Sequence, residues 1–213
     1  MATEFKGKRN RIETLIRVGL NGRYIFLIAT ICLSFSLIFP TSKVSENISR
    51  EAVIRCGIAQ AVAENTSMGR IGLVSSLQWA PLPTLLILFV GPFSDWDGYS
   101  ACIIAALCLA LLIWTTGEWL RNRGVHWFVA YIAAFTYFCV PSFRQHVKCG
   151  TSAVLFVMLM LLVFLRLFEW LKEGVYLDLA FCGVFLGLAV LTRYQTILVA
   201  FIITFIIYAC ISK

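Results

Sequence analysis

Apolar residues run through this chain in long blocks joined by short polar connectors. The blocks cover about 24–40, 99–117, 125–141, 152–171, 177–192 and 195–211, each 16 to 20 residues long. A helix of that length spans the ~30 Å hydrocarbon layer of a bilayer. A transmembrane β-barrel would alternate apolar and polar residues in ~10-residue segments, and these blocks do not alternate. A shorter apolar run, 82–93, follows Pro81 and Pro83 and closes at Gly91-Pro92. It is too short for a comfortable span and reads as a re-entrant or interfacial helix. The pattern predicts an all-α fold: a polytopic transmembrane bundle of six spans plus that one short helix.

The longest stretch outside an apolar block is 41–98. Within it, Ala52, Ile54, Ile58, Ala59 and Val62 recur at helical spacing, which predicts a helix lying at the membrane interface over 51–63. Gly183 and Gly187 form a GxxxG pair in the fifth span. In a polytopic chain such spacing serves close packing inside the bundle or pairing with a second copy, and the first is the commoner use.

Composition agrees with a membrane chain. Of 213 residues, 60% are hydrophobic and mean hydropathy is +0.86, against 45–50% apolar in ordinary soluble domains. The net charge is +7, and Lys6, Lys8, Arg9, Arg11, Arg17 and Arg23 all precede the first span. Beside a span, such a cluster marks the cytoplasmic side and meets anionic lipid, so nucleic acid is not the expected partner. The region is long and lacks a small-residue cleavage site, which favours a retained signal anchor over a signal peptide. Residues 1–23 thus form a basic cytoplasmic segment and 24–213 the membrane module.

Charge also tests the span count. With 82–93 not spanning, eleven basic residues face the cytoplasm and seven face outward; making it a span gives nine on each side. The positive-inside bias favours six spans with both termini cytoplasmic. The outer face then holds 41–98, 142–151 and the turn at Arg193.

Candidate chemistry gathers on that face. Glu46 and Glu51 follow the first span closely. Either could serve as general base toward an acceptor hydroxyl, or be a solvated loop charge paired with Arg50 or Arg55. Arg144, His146 and Lys148 lie within five residues in the second outer loop, where they suit a phosphate or the headgroups of membrane lipids. Arg193 sits between two apolar runs, a costly place for a charge that has no use. Most tryptophans fall at span ends, as an interfacial belt does. Most cysteines lie in apolar runs as packing residues, while Cys56 and Cys149 occupy outer loops where a disulfide is possible. Phosphate-binding loops, zinc-protease helices, nucleophile elbows and metal clusters are absent from the pattern. The spans carry almost no charge and no inverted repeat, against a transporter.

The order of parts resembles a known family. Trp79-Ala-Pro-Leu-Pro-Thr-Leu-Leu follows an outer acidic loop. Next comes a span ending in Glu118-Trp-Leu-Arg-Asn-Arg-Gly, and later Gly183-Val-Phe-Leu-Gly-Leu-Ala-Val-Leu-Thr-Arg-Tyr. Together these resemble the N-terminal membrane module of GT-C glycosyltransferases, in the branch of protein O-mannosyltransferases and aminoarabinose transferases. The resemblance implies a polyprenyl-phosphate-linked sugar donor used at the periplasmic or lumenal face, in a bacterial inner membrane or the ER. It implies Glu51, then Glu46, as the catalytic carboxylate. It implies Arg193, with Arg144, Lys148 and His146, as holders of the lipid phosphate, and Trp79 and Pro81 as the loop's return into the membrane. It assigns no metal. Against the family pattern, Arg50 precedes Glu51 where paired acids are frequent, and Lys148-Cys-Gly-Thr stands where many members carry an aspartate. Members also continue into further spans. The alternative implied is a non-catalytic GT-C-derived subunit, with a second membrane subunit supplying those spans.

Overall fold

A computed structural model describes residues 24–38, 48–75, 80–94 and 96–211. The described residues form helices and turns with no strand. In chain order the helices are α1 (Tyr24–Ser36), α2 (Arg50–Ala63), α3 (Ser67–Ser75), α4 (Pro81–Val90), α5 (Tyr99–Asn122), α6 (Trp127–Cys139), α7 (Pro141–Lys148), α8 (Ala153–Glu173), α9 (Tyr176–Val190) and α10 (Thr196–Ile211). A single 3₁₀ turn, Gly91–Phe93, extends α4.

The central element is α5. Its inward positions are mostly small: Ala101, Cys102, Ala105, Ala106, Cys108, Ala110 and Gly117 are all buried. Small side chains let neighbouring helices approach closely, which is how apolar helices associate where burial from water supplies no drive. Around them Leu109, Leu112 and Ile113 pack with Ala134 of α6, Val147 of α7 and Val154, Leu155 and Leu159 of α8. Gly117 allows a close contact, because a Cβ there would lie 2.2 Å from the Tyr131 ring of α6. A second cluster joins α8 to α9 and α10 through Val163, Leu167, Trp170, Cys182 and Ile203.

Among the described residues, only α5 and α8 are both long and apolar enough to cross a membrane, at 24 and 21 residues. The other apolar helices are shorter, 10 to 17 residues. The six helices begin and end within a few residues of the expected spans, except that α5 runs on to Asn122. Its extra turn is held by Glu118 and Arg121, three residues apart and paired at 3.0 Å, a spacing that places both on one face. The expected short helix over 82–93 is α4, ten residues long and so about 15 Å, half a hydrocarbon layer. It packs on α2 and α5.

The helix expected over 51–63 is α2, but it turns a partly different face inward. Ala52, Arg55, Cys56 and Ala59 are buried, while Val53 is exposed and Ile54 and Ile58 are half-buried. Small residues win the inner face because α4 and α5 lie against it, Ile87 and Ala101 completing the cluster. The GxxxG pair also departs from internal packing: Gly183 and Gly187 are exposed, with open space where a Cβ would stand.

The two ends of the bundle are chemically distinct. One end carries the starts of α2, α5 and α8 and the α9–α10 turn. There Ser49 caps α2 by accepting from the Ala52 N–H at 3.1 Å, and the Ser49 N–H donates to the Cys149 carbonyl at 3.0 Å. Gly150 closes this joint with φ +64, where an added Cβ would meet Ala101, Cys102 and Ala52 at 3.0–3.2 Å. A left-handed L residue costs about 1–2 kcal/mol and overpacking about 1–3 more. Gly150→Val is therefore expected to destabilise the protein by roughly 2–5 kcal/mol, read as a lower unfolding temperature in detergent. An unchanged temperature would mean that this joint carries no weight.

Candidate functional site

Glu51 stands in the first turn of α2 and Arg55 one turn later. Three donors converge on Glu51 Oε1: Arg55 Nε at 3.1 Å, the Ser152 hydroxyl at 2.5 Å and the Ser152 N–H at 3.3 Å. Ser152 is the cap residue of α8, so the carboxylate sits at that helix's positive end. Arg55 reaches the other way. Its Nη1 donates to the Ala80 carbonyl at 2.6 Å and to Thr84 Oγ1 at 3.4 Å. Ala80 is the cap residue of α4, whose first residue, Pro81, brings no N–H. One guanidinium thus ties the acid helix α2 to the entrance of α4.

The pair is not a solvated loop charge. Arg55 is only 3% exposed, and the Glu51 side chain 18%. Burial pulls the Arg55 pKa down, the charge and hydrogen bond of Glu51 push it back up, and the nearby positive charge of Arg193 adds to the lowering. Arg193 is therefore close by. Its guanidinium lies 5.7 Å from the centre of the Phe156 ring, and Phe156 is one turn along α8 from Ser152. That turn is about 6 Å of rise on one helix face. A backbone bond completes the joint: the Leu82 N–H donates to the Leu191 carbonyl at 2.9 Å.

The structure thus brings Glu51, Arg193 and Pro81 to one end of the bundle, from positions far apart in the chain. His146 and Lys148, on α7, come to the same end. The His146 ring stands 3.0 Å from Thr151 Oγ1, and the Lys148 carbonyl accepts from the Cys102 thiol at 3.4 Å. Arg144 is exposed on α7. Glu46 and Trp79 lie outside the described residues. Cys56 and Cys149 are both free thiols. The Cys56 thiol donates to the Asp97 carbonyl, and burial pushes its pKa up to about 11.

Sequence reasoning passed over Arg55, Ser152 and Thr84 as site residues. Signals for each existed. Glu51 and Arg55 have the Glu-to-Arg i,i+4 spacing that pairs on a helix. Ser152 directly precedes an apolar run, where a cap belongs. Thr84 is the one hydroxyl in the apolar run of α4. Beside this group is a cavity of about 20 Å³, lined by Arg55, Ile87, Ala105, Thr151, Ser152 and Leu155. It has room for about one water and none for a sugar. Among the described residues, no three His, Cys, Asp or Glu side chains gather as a metal site would need.

A family model described as dolichyl-phosphate-mannose-protein mannosyltransferase matches residues 79–213. The chain belongs to this family. It is therefore a GT-C-type chain, and the family together with the apolar helices makes it a membrane protein. The matched segment holds α4 through α10, with Arg144, His146, Lys148 and Arg193 inside it, and begins after α2 and Glu51. Comparison with curated proteins and with solved structures gives no match.

Proposed function

We propose that this mannosyltransferase-family chain transfers a sugar from a polyprenyl-phosphate-linked donor to an acceptor hydroxyl at the outer face of its membrane. The observation that carries this reading is that Glu51 and Arg193 engage residues one turn apart at the same end of α8, Ser152 and Phe156. In this reading six helices span with both termini cytoplasmic. α4 then lies re-entrant, and the Glu51 end faces the periplasm or lumen.

The chemistry divides between the two charges. Glu51, held by Ser152 and Arg55, takes the proton from the acceptor hydroxyl as its oxygen attacks the sugar's anomeric carbon. The bond from that carbon to the phosphate oxygen breaks, and the electron pair leaves with the polyprenyl phosphate. Arg193 meets the growing negative charge on that phosphate. A guanidinium suits this task, since its fork matches two phosphate oxygens. Lys148 is a further cation near the same end, and the His146 ring stands beside it.

The test is transfer of labelled sugar from a polyprenyl-phosphate donor by the purified chain in liposomes. Arg193→Gln is expected to raise the donor KM by about ten- to a hundred-fold, with the unfolding temperature little changed. No transfer by the wild-type chain, alone or with a co-purifying membrane partner, would overturn the proposal.

A second reading has its own support. The water-sized cavity and the full engagement of Glu51 Oε1 both suit a purely structural pair in a non-catalytic subunit. That reading expects stable co-purification with a partner and tolerance of substitution at Arg193.

A further inference from the structure

A larger space than the one beside Arg55 lies at the other end of the bundle. A cleft of about 500 Å³ opens between the last turns of α5 and α8 and the start of α9. Its wall is built of ion pairs between elements. Arg123 Nη2 meets Glu169 at 3.0 Å and Arg166 Nη1 meets Asp178 at 2.9 Å. Each arginine is also braced by rings: Arg123 by Phe168 at 4.3 Å and Trp119 at 5.2 Å, Arg166 by Phe181 at 5.4 Å. Lys172 and Glu173 add one charge of each sign. Glu118 also lines the cleft, and its carboxylate accepts from the Tyr131 hydroxyl and from Arg121.

We propose that this cleft holds the headgroup of a zwitterionic phospholipid with a primary ammonium, of the phosphoethanolamine class. Four carboxylates and three cations line the space, so a purely anionic headgroup meets as much repulsion as attraction. A zwitterion satisfies both signs. Its phosphate takes the guanidinium N–H groups of Arg123 and Arg166, since a guanidinium has five donors and a single carboxylate contact uses only one or two. Its ammonium donates to Glu169, Glu173 and Glu118. A primary ammonium has N–H donors for these acceptors, and a quaternary one has none.

The setting suits a lipid rather than a soluble ligand. Toward the middle of the helices the cleft is lined by Trp114, Leu162 and Leu165, which suits acyl chains. Phe164, Phe168 and Leu171 are exposed along the same stretch of α8. The cleft also ends the two helices long enough to cross a membrane, at the level where headgroups and tryptophans meet.

This inference does not rest on the transferase reading, because its readout is lipid binding at the opposite end. The experiment is native mass spectrometry of the purified full chain, delipidated and titrated with short-chain phosphatidylethanolamine, phosphatidylcholine and phosphatidylglycerol. The ethanolamine lipid is expected to bind about ten-fold more tightly than either of the others. Leu162→Trp fills the apolar part of the cleft and is expected to abolish that preference. Arg166→Gln with Asp178→Asn removes one ion pair without leaving a lone charge and is expected to weaken it several-fold. Equal or tighter binding of the choline or glycerol lipid by the wild-type chain overturns the proposal, whatever the variants do. An undiminished preference in a folded Leu162→Trp protein places the lipid elsewhere and overturns it too.

Discussion

Replacing Arg55 with leucine is expected to destabilise the protein by about 3–5 kcal/mol, the usual cost of breaking a buried ion pair by removing one partner. The size follows from what the guanidinium holds. It is almost wholly buried, and it bonds Glu51, the Ala80 carbonyl and the Thr84 hydroxyl together. Leucine leaves Glu51 without its cation and the α4 cap carbonyl without its donor. Lysine keeps the charge, but its single nitrogen cannot reproduce a fork that reaches acceptors on two helices. Arg55→Lys is thus expected to recover only part of the loss. The measurement is thermal unfolding in detergent, beside the yield of monodisperse protein. If Arg55→Leu matches the wild type in both, α2 and α4 are not joined through this side chain.

The second large effect concerns Glu51. Glu51→Gln is expected to lower sugar transfer by about 10²- to 10⁴-fold, the range for removal of a general base. Stability should fall less than in Arg55→Leu. The glutamine oxygen still accepts from Arg55 and Ser152, and this side chain is partly open to solvent. A double measurement separates the two roles. Loss of transfer with donor binding intact assigns Glu51 to the proton. Full transfer by Glu51→Gln removes it from the chemistry and leaves a structural bridge between α2 and α8.

Much of the helix order was legible because apolar runs and their breaks carry it. Pro81, Gly98 and Gly174 punctuate the chain where helices begin or end. Boundaries shift by a few residues at several ends, and the shift with a visible cause is at α5, where pairing of Glu118 with Arg121 overrides hydropathy and lengthens the helix. The inward face of α2 was not legible. Ile54 and Ile58 look like core residues by type, yet the inward face holds Ala52, Cys56 and Ala59 together with Arg55, which reaches the start of α4. Contact between helices far apart in sequence decides that, and periodicity within one helix does not record it. The candidate site divides in the same way. Glu51 and Arg193 could be chosen for being charges close to long apolar runs. Ser152 and Thr84 are ordinary residue types, and their part depends on which helices meet.

The Leu82–Leu191 backbone bond has a mechanical consequence. Pro81 offers no N–H, so Leu82 supplies the first donor of α4, and it is spent on the turn that carries Arg193. Arg55 grips the same helix end from the other side, through the Ala80 carbonyl. Force applied to the arginine turn therefore passes through one cap into the helix bearing the acid. If Arg193 holds the donor phosphate as proposed, this joint ties that phosphate to the helix bearing Glu51.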